Sequence, residues 1–229
     1  MNLLALETST HHLSVALWRD GNLTERAEKL PNGGSERLLP WVRQLLTEAD
    51  LQITELDGIA FGAGPGGFTG LRLACGVAQG LAFGLDLPVV GVSSLEALAL
   101  AGYEQGTEHL FACLDARMNE VYCAAYLMKD GTHESIMPER VLPPQQVVLP
   151  PGPDWIGCGD GFERYPELLA THLSAIRPDV WPTAAAVAQL AAPRFARGEG
   201  IDASLAHPLY VRDKVALTTA ERLARGGAK

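Results

Sequence analysis

A glycine-rich turn followed by an apolar helix is the feature that most constrains this chain. The stretch from Phe61 to Leu85 reads FGAGPGGFTGLRLACGVAQGLAFGL, and its first part holds four glycines around Pro65. Glycine reaches positive φ and lets other backbone approach closely, so this part predicts a turn that another surface can touch. We expect Thr69 to cap a helix that runs to Leu85, because its hydroxyl can accept a hydrogen bond from the first helical turn.

The surface of this predicted helix is unusual. Gly76, Gly80 and Gly84 recur every four residues, so they lie along one side and leave a shallow groove. Only Arg72 and Gln79 interrupt the apolar residues around it. A helix that is apolar all round is normally covered all round. One face should pack on the chain's own sheet, and the other is covered either by a neighbouring helix of the same domain or by a helix of another subunit.

The composition describes an acidic globular protein. Of 229 residues, 47% are hydrophobic and 20% charged, and the formal net charge is −9. Proteins that grip nucleic acid through many phosphates carry basic surfaces, so any contact with nucleic acid is expected to be indirect. The four cysteines lack the spacing of a zinc or redox motif, which favours reduced core thiols and a cytoplasmic location. The apolar run at the N-terminus is too short for a signal peptide or a membrane span.

One order of elements occurs twice along the chain. An apolar strand ends in an acid, a polar turn and a second strand follow, and an Asp-Gly hairpin turn leads into a third strand. Asp115 follows Glu7 by 108 residues, and Asp130 follows Asp20 by 110. This self-similarity predicts a duplicated α/β domain. We expect lobes at 1–102 and 103–206, the second smaller or degenerate, and a tail at 207–229 that packs back on the first lobe.

Periodicity and turn residues place the individual elements. Helices are predicted at 35–49, 69–85, 94–100 and 183–197, the last with a kink or break at Pro193. The tail has a strand-like core at 209–211. Strands are predicted at 2–6, 13–18, 23–30, 57–62, 87–92, 110–114, 120–128 and 155–157, with one more ending at 142.

Two acids and a glycine turn resemble the nucleotide site of actin-like ATPases. Glu7 and Asp115 each follow a strand, and Gly157–Gly161 supplies a Gly-x-Gly turn; such enzymes use two acids around a metal-bound nucleotide and backbone N–H groups around its phosphates. Two features depart from that layout. Asp115 is followed by Ala116-Arg117, where a glycine would admit a phosphate, and Glu7 is the longer acid. A kinase or ATPase remains an alternative function.

Other chemistry finds little support in the residues. His11 and His12 are adjacent, so we expect their side chains to point apart, and no histidine pair has the spacing of a zinc site. Ser9, Ser93 and Ser94 lack the surroundings of a hydrolase nucleophile and fit turns and helix caps better. We therefore assign no catalytic, cofactor-binding or metal-binding residue.

Four segments together resemble a known family. ALETST, GAGPGGFTGLRLACGVAQGLA, PVVGVSSLEALA and LDARMNEVY look like the TsaB family, the dimerisation subunits of the bacterial tRNA threonylcarbamoyladenosine (t6A) machinery. The resemblance is strong over roughly the first 130 residues and in the later half rests mainly on the order of elements. It implies two tandem ribonuclease H-like (actin-like ATPase) lobes, each a mixed sheet with flanking helices.

The catalytic relative TsaD shares that superfamily but differs at one segment. There two metal-binding histidines flank a glutamate, whereas this chain has Ser94, Glu96 and Leu98 in the matching positions. A serine hydroxyl is a poor ligand and leucine is none. The resemblance therefore implies a subunit without the catalytic metal or any other cofactor. A peptidase, suggested by an old name of the superfamily, lacks a nucleophile or metal set here.

The resemblance also implies a partner surface. In TsaB the helices matching 35–49 and 69–85 are expected to pack against the equivalent pair of TsaD, with TsaE joining in a ternary complex and tRNA engaged only indirectly. The same surface could pair two copies of this chain. No membrane contact is expected. The interface residues predicted on this basis are Leu38, Trp41, Val42, Leu45, Arg72, Leu73, Gly76, Gln79, Gly80 and Phe83.

Overall fold

Two five-stranded mixed sheets form the framework of the protein. A computed structural model describes residues 1–30, 34–104, 107–129, 132–152, 154–165 and 173–212. The two sheets and their flanking helices confirm the predicted α/β class with tandem lobes.

The first sheet begins with an antiparallel meander. Strands β1 (Asn2–Glu7), β2 (His12–Arg19) and β3 (Asn22–Lys29) pair in sequence, and β4 (Gly58–Gly64) and β5 (Val89–Ser93) continue the sheet in parallel to β1. The resulting order is β3-β2-β1-β4-β5. All residues of β4 are buried, as expected of a central strand covered on both faces.

The second sheet repeats this topology. Strands β6 (His109–Asp115), β7 (Val121–Lys129) and β8 (Thr132–Leu142) form the meander, and β9 (Ile156–Cys158) and β10 (Ala175–Arg177) add in parallel to β6. Its order, β8-β7-β6-β9-β10, matches that of the first sheet strand for strand. The predicted duplication is thereby confirmed, although the Asp130-Gly131 turn lies outside the described residues.

Helices surround the first sheet and fill the space between the sheets. Helices α1 and α2 cover one face of the first sheet and α5 covers the other, while α3 packs between α5 and the second sheet. The five described helices are α1 (Ser35–Glu48), α2 (Phe68–Leu85), α3 (Ser94–Gly102), the short α4 (Gly161–Arg164) and α5 (Ala184–Ala196).

Helix α5 departs from two expectations. It falls in the range predicted for the second lobe, yet its alanines pack on the first sheet. The predicted lobe limits of 1–102, 103–206 and 207–229 stay a prediction, but packing does not follow them at α5. The helix also continues through Pro193 to Ala196 without the break that was one of two predicted outcomes, since proline keeps a helical φ and removes only its own N–H donor.

Two further local predictions were wrong. Gly67 precedes α2 without any side-chain cap, and Thr69 lies inside the first turn, because the helix begins at Phe68. Residues 209–211 form no strand among the described residues. Strand β4 already pairs with β1 and β5, so it offers no free edge to a further strand. The Leu209 N–H instead makes a single hydrogen bond to β4, to the Ala63 carbonyl at 2.7 Å, beside the register shift between Gly62 and Gly64.

Candidate partner surface on helices α1 and α2

The glycine-rich loop anchors the start of α2 to the turn between β1 and β2. A Cβ on Gly70 would lie 1.8 Å from the Thr8 carbonyl oxygen, and one on Gly66 would lie 2.5 Å from that of Ser9. The Gly67 N–H donates to the Ser9 oxygen at 2.6 Å, and the Thr8 hydroxyl donates to the Gly70 carbonyl at 2.6 Å. The close approach expected from the sequence is therefore present, and it fixes where α2 begins.

The inner side of α2 packs on the first sheet. Leu71, Ala74, Cys75, Ala78 and Ala82 are buried, and the last four belong to the core shared with β4. Small side chains on this side let the helix backbone lie close to the sheet. The prediction that one face of the helix covers the chain's own sheet is confirmed.

The outer side of α2, by contrast, is open. A Cβ added to Gly76, Gly80 or Gly84 would meet no heavy atom within 4 Å. Phe83 beside them exposes 80% of its surface. No part of the chain that the structure describes fills the groove, so its cover has to come from outside those residues. An exposed phenylalanine next to a glycine groove is apolar surface of the kind that binding sites carry.

The predicted interface residues divide into accessible and buried groups. Arg72, Gly76, Gly80 and Phe83 are exposed, and Trp41, Leu73 and Gln79 are half-buried. The Gln79 side chain donates to the Ala203 and Ala206 carbonyls at 3.1 and 3.0 Å, so it secures a loop of the same chain.

Leu38, Val42 and Leu45 face the interior of the protein. All three are buried in the core beneath α1. They form the apolar stripe of an amphipathic helix, and that stripe faces the helix's own sheet. That these three residues belong to a partner interface stays a prediction, and in the free chain they serve the core.

An exposed leucine lies at the edge of the apolar stripe of α1 and was not among the predicted interface residues. Leu39 exposes 51% of its surface. With Arg43, Thr47 and Leu81 it helps to line a groove of about 450 Å³ between α1 and α2. In the sequence Leu39 is three residues before Val42 and seven before Leu46, so helical spacing alone does not separate it from the core-facing leucines. Leu39 and Phe83 therefore mark the accessible apolar surface of the two helices.

The cleft between the lobes lacks the arrangement expected of an ATPase. It has a volume of about 560 Å³ and is lined by Ser9, Asp115, Arg117 and Asp160, among others, but not by Glu7. Glu7 is fully buried: its carboxylate accepts hydrogen bonds from the Ser9 N–H at 2.5 Å and the Ser94 hydroxyl at 3.1 Å. Burial raises the pKa of Glu7 above its ordinary value. A carboxylate enclosed in this way does not reach a ligand in the cleft.

The second acid and the glycine turn are also engaged within the protein. The Asp115 side chain is only 7% exposed and accepts hydrogen bonds from the Arg117 N–H at 2.9 Å and the Tyr165 hydroxyl at 2.9 Å. A Cβ on Gly159 would lie 2.3 Å from the Cys113 carbonyl oxygen, and one on Gly161 would lie 2.5 Å from the Cys113 sulfur. These glycines are needed for packing against β6, which accounts for them without a phosphate.

Comparison with known proteins places the chain in a family. Residues 32–216 match the family model described as TsaD: tRNA N6-adenosine threonylcarbamoyltransferase. The chain is 35% identical over 223 residues to the tRNA threonylcarbamoyladenosine biosynthesis protein TsaB of Escherichia coli (strain K12), which covers 94% of this chain and 96% of that protein. The chain belongs to the TsaB family. Haemophilus influenzae TsaB is also 35% identical, with 94% and 95% of the two chains covered.

Solved structures agree with the TsaB assignment. YeaZ from Pseudomonas aeruginosa superposes with a TM-score of 0.87 and 45% identity, covering 91% of this chain and 99% of that one. A second Pseudomonas aeruginosa structure, described as similar to the peptidase YeaZ, gives 0.88 and 45%, with 92% and 99% covered. The fold of the described lobes is thus the fold of these TsaB relatives.

In this TsaB-family chain the side chains of Ser94, Glu96 and Leu98, which stand at the positions of the TsaD histidine pattern, are bound or buried within the protein. Ser94 and Leu98 are fully buried, and the Ser94 hydroxyl is bound to Glu7. Glu96 accepts two hydrogen bonds from Arg194, at 2.7 and 2.8 Å, and an ion pair joins it to His133. Burial favours the neutral acid, but His133 and Arg194 together outweigh it and hold the pKa of Glu96 below its ordinary value. Among the described residues, no three His, Cys, Asp or Glu side chains are grouped to hold a metal ion.

The adjacent histidines of this family member do not point apart as expected. Their ring centroids lie 4.4 Å (His11) and 4.1 Å (His12) from that of Trp181, and 4.9 Å from each other. Burial, followed by the neighbouring His11 and Lys29, lowers the pKa of His12 to about 4. The prediction was wrong because both rings turn toward one tryptophan that is distant in sequence.

The length and composition of α2 would also suit a membrane span. In the described part of the chain it is the one helix that is long and apolar enough to cross a membrane, with 18 residues and a mean hydropathy of 1.3. Yet α2 connects β4 and β5, which are parallel neighbours in the same sheet. A crossover helix must pack back on the sheet that it connects, so the apolar character of α2 serves packing on one side and an open surface on the other.

Proposed function

We propose that this chain is the non-catalytic partner subunit of a cytoplasmic tRNA t6A-modifying complex. It binds TsaD through the outer sides of α1 and α2, and TsaE joins the pair. The complex transfers threonylcarbamoyl to the adenosine beside the tRNA anticodon, and this subunit meets the tRNA only indirectly. The same helices pair two copies of the chain when TsaD is absent.

The observation that carries this proposal is the open glycine groove. Glycines in a helix interior destabilise it by about 1 kcal/mol each relative to alanine, and no described part of this chain uses the space that Gly76 and Gly80 leave. A partner helix can use that space, because small residues let two helix backbones approach closely. Leu39 on α1 and Phe83 on α2 supply exposed apolar area for such a contact.

The non-catalytic role is supported by the state of the acids. Glu7 is enclosed, Asp115 is bound to Arg117 and Tyr165, and Glu96 is bound to Arg194 and His133. None of the three is left as a free carboxylate for a metal or a reacting group. Calorimetry of the isolated chain with Mg-ATP tests the alternative, since micromolar binding would favour a kinase or ATPase.

Substitution of Gly80 by leucine tests the partner surface. The leucine side chain has room in the free protein but would occupy the space of the partner helix. We expect the Gly80→Leu chain to bind purified TsaD at least about a hundredfold more weakly by calorimetry, equivalent to roughly 2.7 kcal/mol. Its thermal unfolding temperature should not fall.

Gln189→Leu is the matched control. It also introduces a leucine at an exposed position of an apolar helix, but on α5, at the far side of the first sheet. It should bind TsaD like the unmodified chain. Wild-type affinity of the Gly80→Leu chain would show that TsaD docks elsewhere.

A further inference from the structure

The segment His207–Arg212 crosses the junction between the two lobes. Its first attachment is to the first lobe, where the Leu209 N–H donates to the Ala63 carbonyl at 2.7 Å. Gly64, at φ +119, permits this contact, because a Cβ there would lie 2.8 Å from the Leu209 carbonyl oxygen. The glycine-rich loop that anchors α2 therefore also receives this segment.

The second attachment is to the exposed side of α2. The Arg72 Nε–H donates to the Tyr210 hydroxyl at 3.0 Å. The Arg72 guanidinium also lies 3.4 Å from the centre of the Phe68 ring, and the Phe68 and Tyr210 ring centres are 6.0 Å apart. A cation held between two aromatic rings limits the freedom of all three side chains. Tyr210 is in this way tied to a residue of the proposed partner surface.

The third attachment reaches the second lobe. The Arg212 guanidinium donates to the Ala116 carbonyl at 3.1 Å and pairs with the Glu120 carboxylate, and its side chain is only 14% exposed. Ala116 and Glu120 flank the turn between β6 and β7. Its three central residues, Arg117, Met118 and Asn119, all have positive φ, which costs a non-glycine residue roughly 1 kcal/mol or more. Such a turn depends on contacts from outside itself, and Arg212 supplies three, the third to the Met118 sulfur at 3.5 Å.

These contacts lie too close together in the chain to move independently. Tyr210 and Arg212 are two residues apart, a span of at most about 7 Å even when fully extended. We propose that His207–Arg212 is a clasp that couples the outer side of α2 to the β6–β7 turn of the other lobe. Fixing Arg72 fixes Tyr210, and this in turn holds Arg212 on the turn. Only the identity of the partner that fixes Arg72 depends on the proposed function.

The consequence reaches the cleft between the lobes. Arg117, inside the clasped turn, lines that cleft together with residues of the glycine-rich loop. A partner that covers α2 would therefore reduce the mobility of one wall of the cleft without touching it. This is a coupling between two sites through one physical connection of named contacts.

Hydrogen–deuterium exchange of the full chain tests the clasp. The peptide that covers residues 116–120 reports on the turn, where the Ala116 N–H bonds to Glu120 and the Glu120 N–H bonds to Arg117. We expect exchange of this peptide to be about tenfold faster in Arg212→Gln. It should be about threefold faster in Arg72→Gln and Tyr210→Phe, although neither residue touches the turn. Arg19→Gln, which removes an exposed first-lobe contact to the Ala49 carbonyl, is the control and should match the wild type.

The coupling predicts faster exchange in the β6–β7 turn and not in the rest of the protein. A rise confined to the turn in Arg72→Gln and Tyr210→Phe supports the coupling, and a wild-type rate there, or an equal rise throughout the first sheet, overturns it. Saturating TsaD should slow exchange of the turn in the wild type but not in Tyr210→Phe. If TsaD fails to bind at all, the proposed function is wrong, whereas the free-chain comparison still decides on the clasp.

Discussion

Helices α2 and α5 are built from similar sequences but have opposite surroundings. Both contain Val-Ala-Gln, each has a single arginine, and both are rich in small residues. In α5 the residues Val187, Ala188 and Ala191 are completely buried, whereas Gly76 and Gly80 of α2 are exposed and Val77 is only half-buried. An apolar composition therefore indicates that a helix has apolar surface to bury, but it does not indicate which element or partner buries it.

The two arginines illustrate the same difference. Arg194 of α5 is bound to the buried Glu96 of α3, whereas Arg72 of α2 lies on the surface against Phe68. Helix α5 lies between the first sheet and α3, so its cation needs a carboxylate partner within the fold. Helix α2 has the sheet on one side only, so its cation remains accessible to another molecule.

The largest expected effect on stability comes from replacing the arginine of α5 by methionine, compared with the same substitution in α2. Arg194→Met leaves Glu96 buried with His133 as its remaining partner, and should lower the free energy of unfolding by about 3 kcal/mol. Arg72→Met on the exposed side of α2 should change it by less than about 0.5 kcal/mol. Urea denaturation of the two variants measures both values. Equal losses would contradict the contrast between the two helices.

The same ion pair should make stability depend on pH. Because the pKa of Glu96 is lower in the folded protein than its ordinary value of 4.5, its contribution is complete above that value and is lost as the pH falls through the folded pKa. The difference in unfolding free energy between the wild type and Glu96→Gln should shrink as the pH is lowered from 6 toward about 3. Subtracting the two curves removes the opposite contribution of Glu7. A constant difference would rule out a charged Glu96.

One leucine substitution in each helix compares their packing directly. Ala191→Leu forces extra volume into a closed space and should cost about 1–3 kcal/mol. Gly80→Leu, with open space around its Cβ, should cost nothing and raise helix propensity. Thermal unfolding of both variants at one pH gives the comparison. A large loss in Gly80→Leu would mean that the groove is filled.

Glycine-to-alanine substitutions give the smallest effect. Gly76→Ala and Gly80→Ala should each raise the free energy of unfolding by up to about 1 kcal/mol, since a methyl group fits there and alanine favours the helix. Gly70→Ala in the same helix is the control and should destabilise, because its Cβ would collide with the Thr8 carbonyl. Guanidinium titrations resolve differences of this size. A loss at Gly76 and Gly80 would point to close contacts along the groove.

Much of the fold could be predicted because it depends on local patterns. Apolar runs, turn residues and the repeated order of elements indicate two lobes, and the four glycines around Pro65 indicate a close backbone contact. Where the prediction failed, a distant segment decided the outcome. Trp181 brings His11 and His12 together, and the contacts of Gly67 and Gly70 with Ser9 and Thr8 fix the start of α2 at Phe68, which removes the capping role of Thr69.

The sequence alone determined that α2 carries more apolar surface than one sheet face can cover. Tertiary structure decided which part of the apolar surface of α1 and α2 remains free: Leu38, Val42 and Leu45 face the core, while Leu39, Gly80 and Phe83 face outward. The physical reason is that periodicity fixes which residues share a side of a helix. Which side is buried depends on the sheet against which the helix packs, and that sheet is assembled from strands distant in sequence.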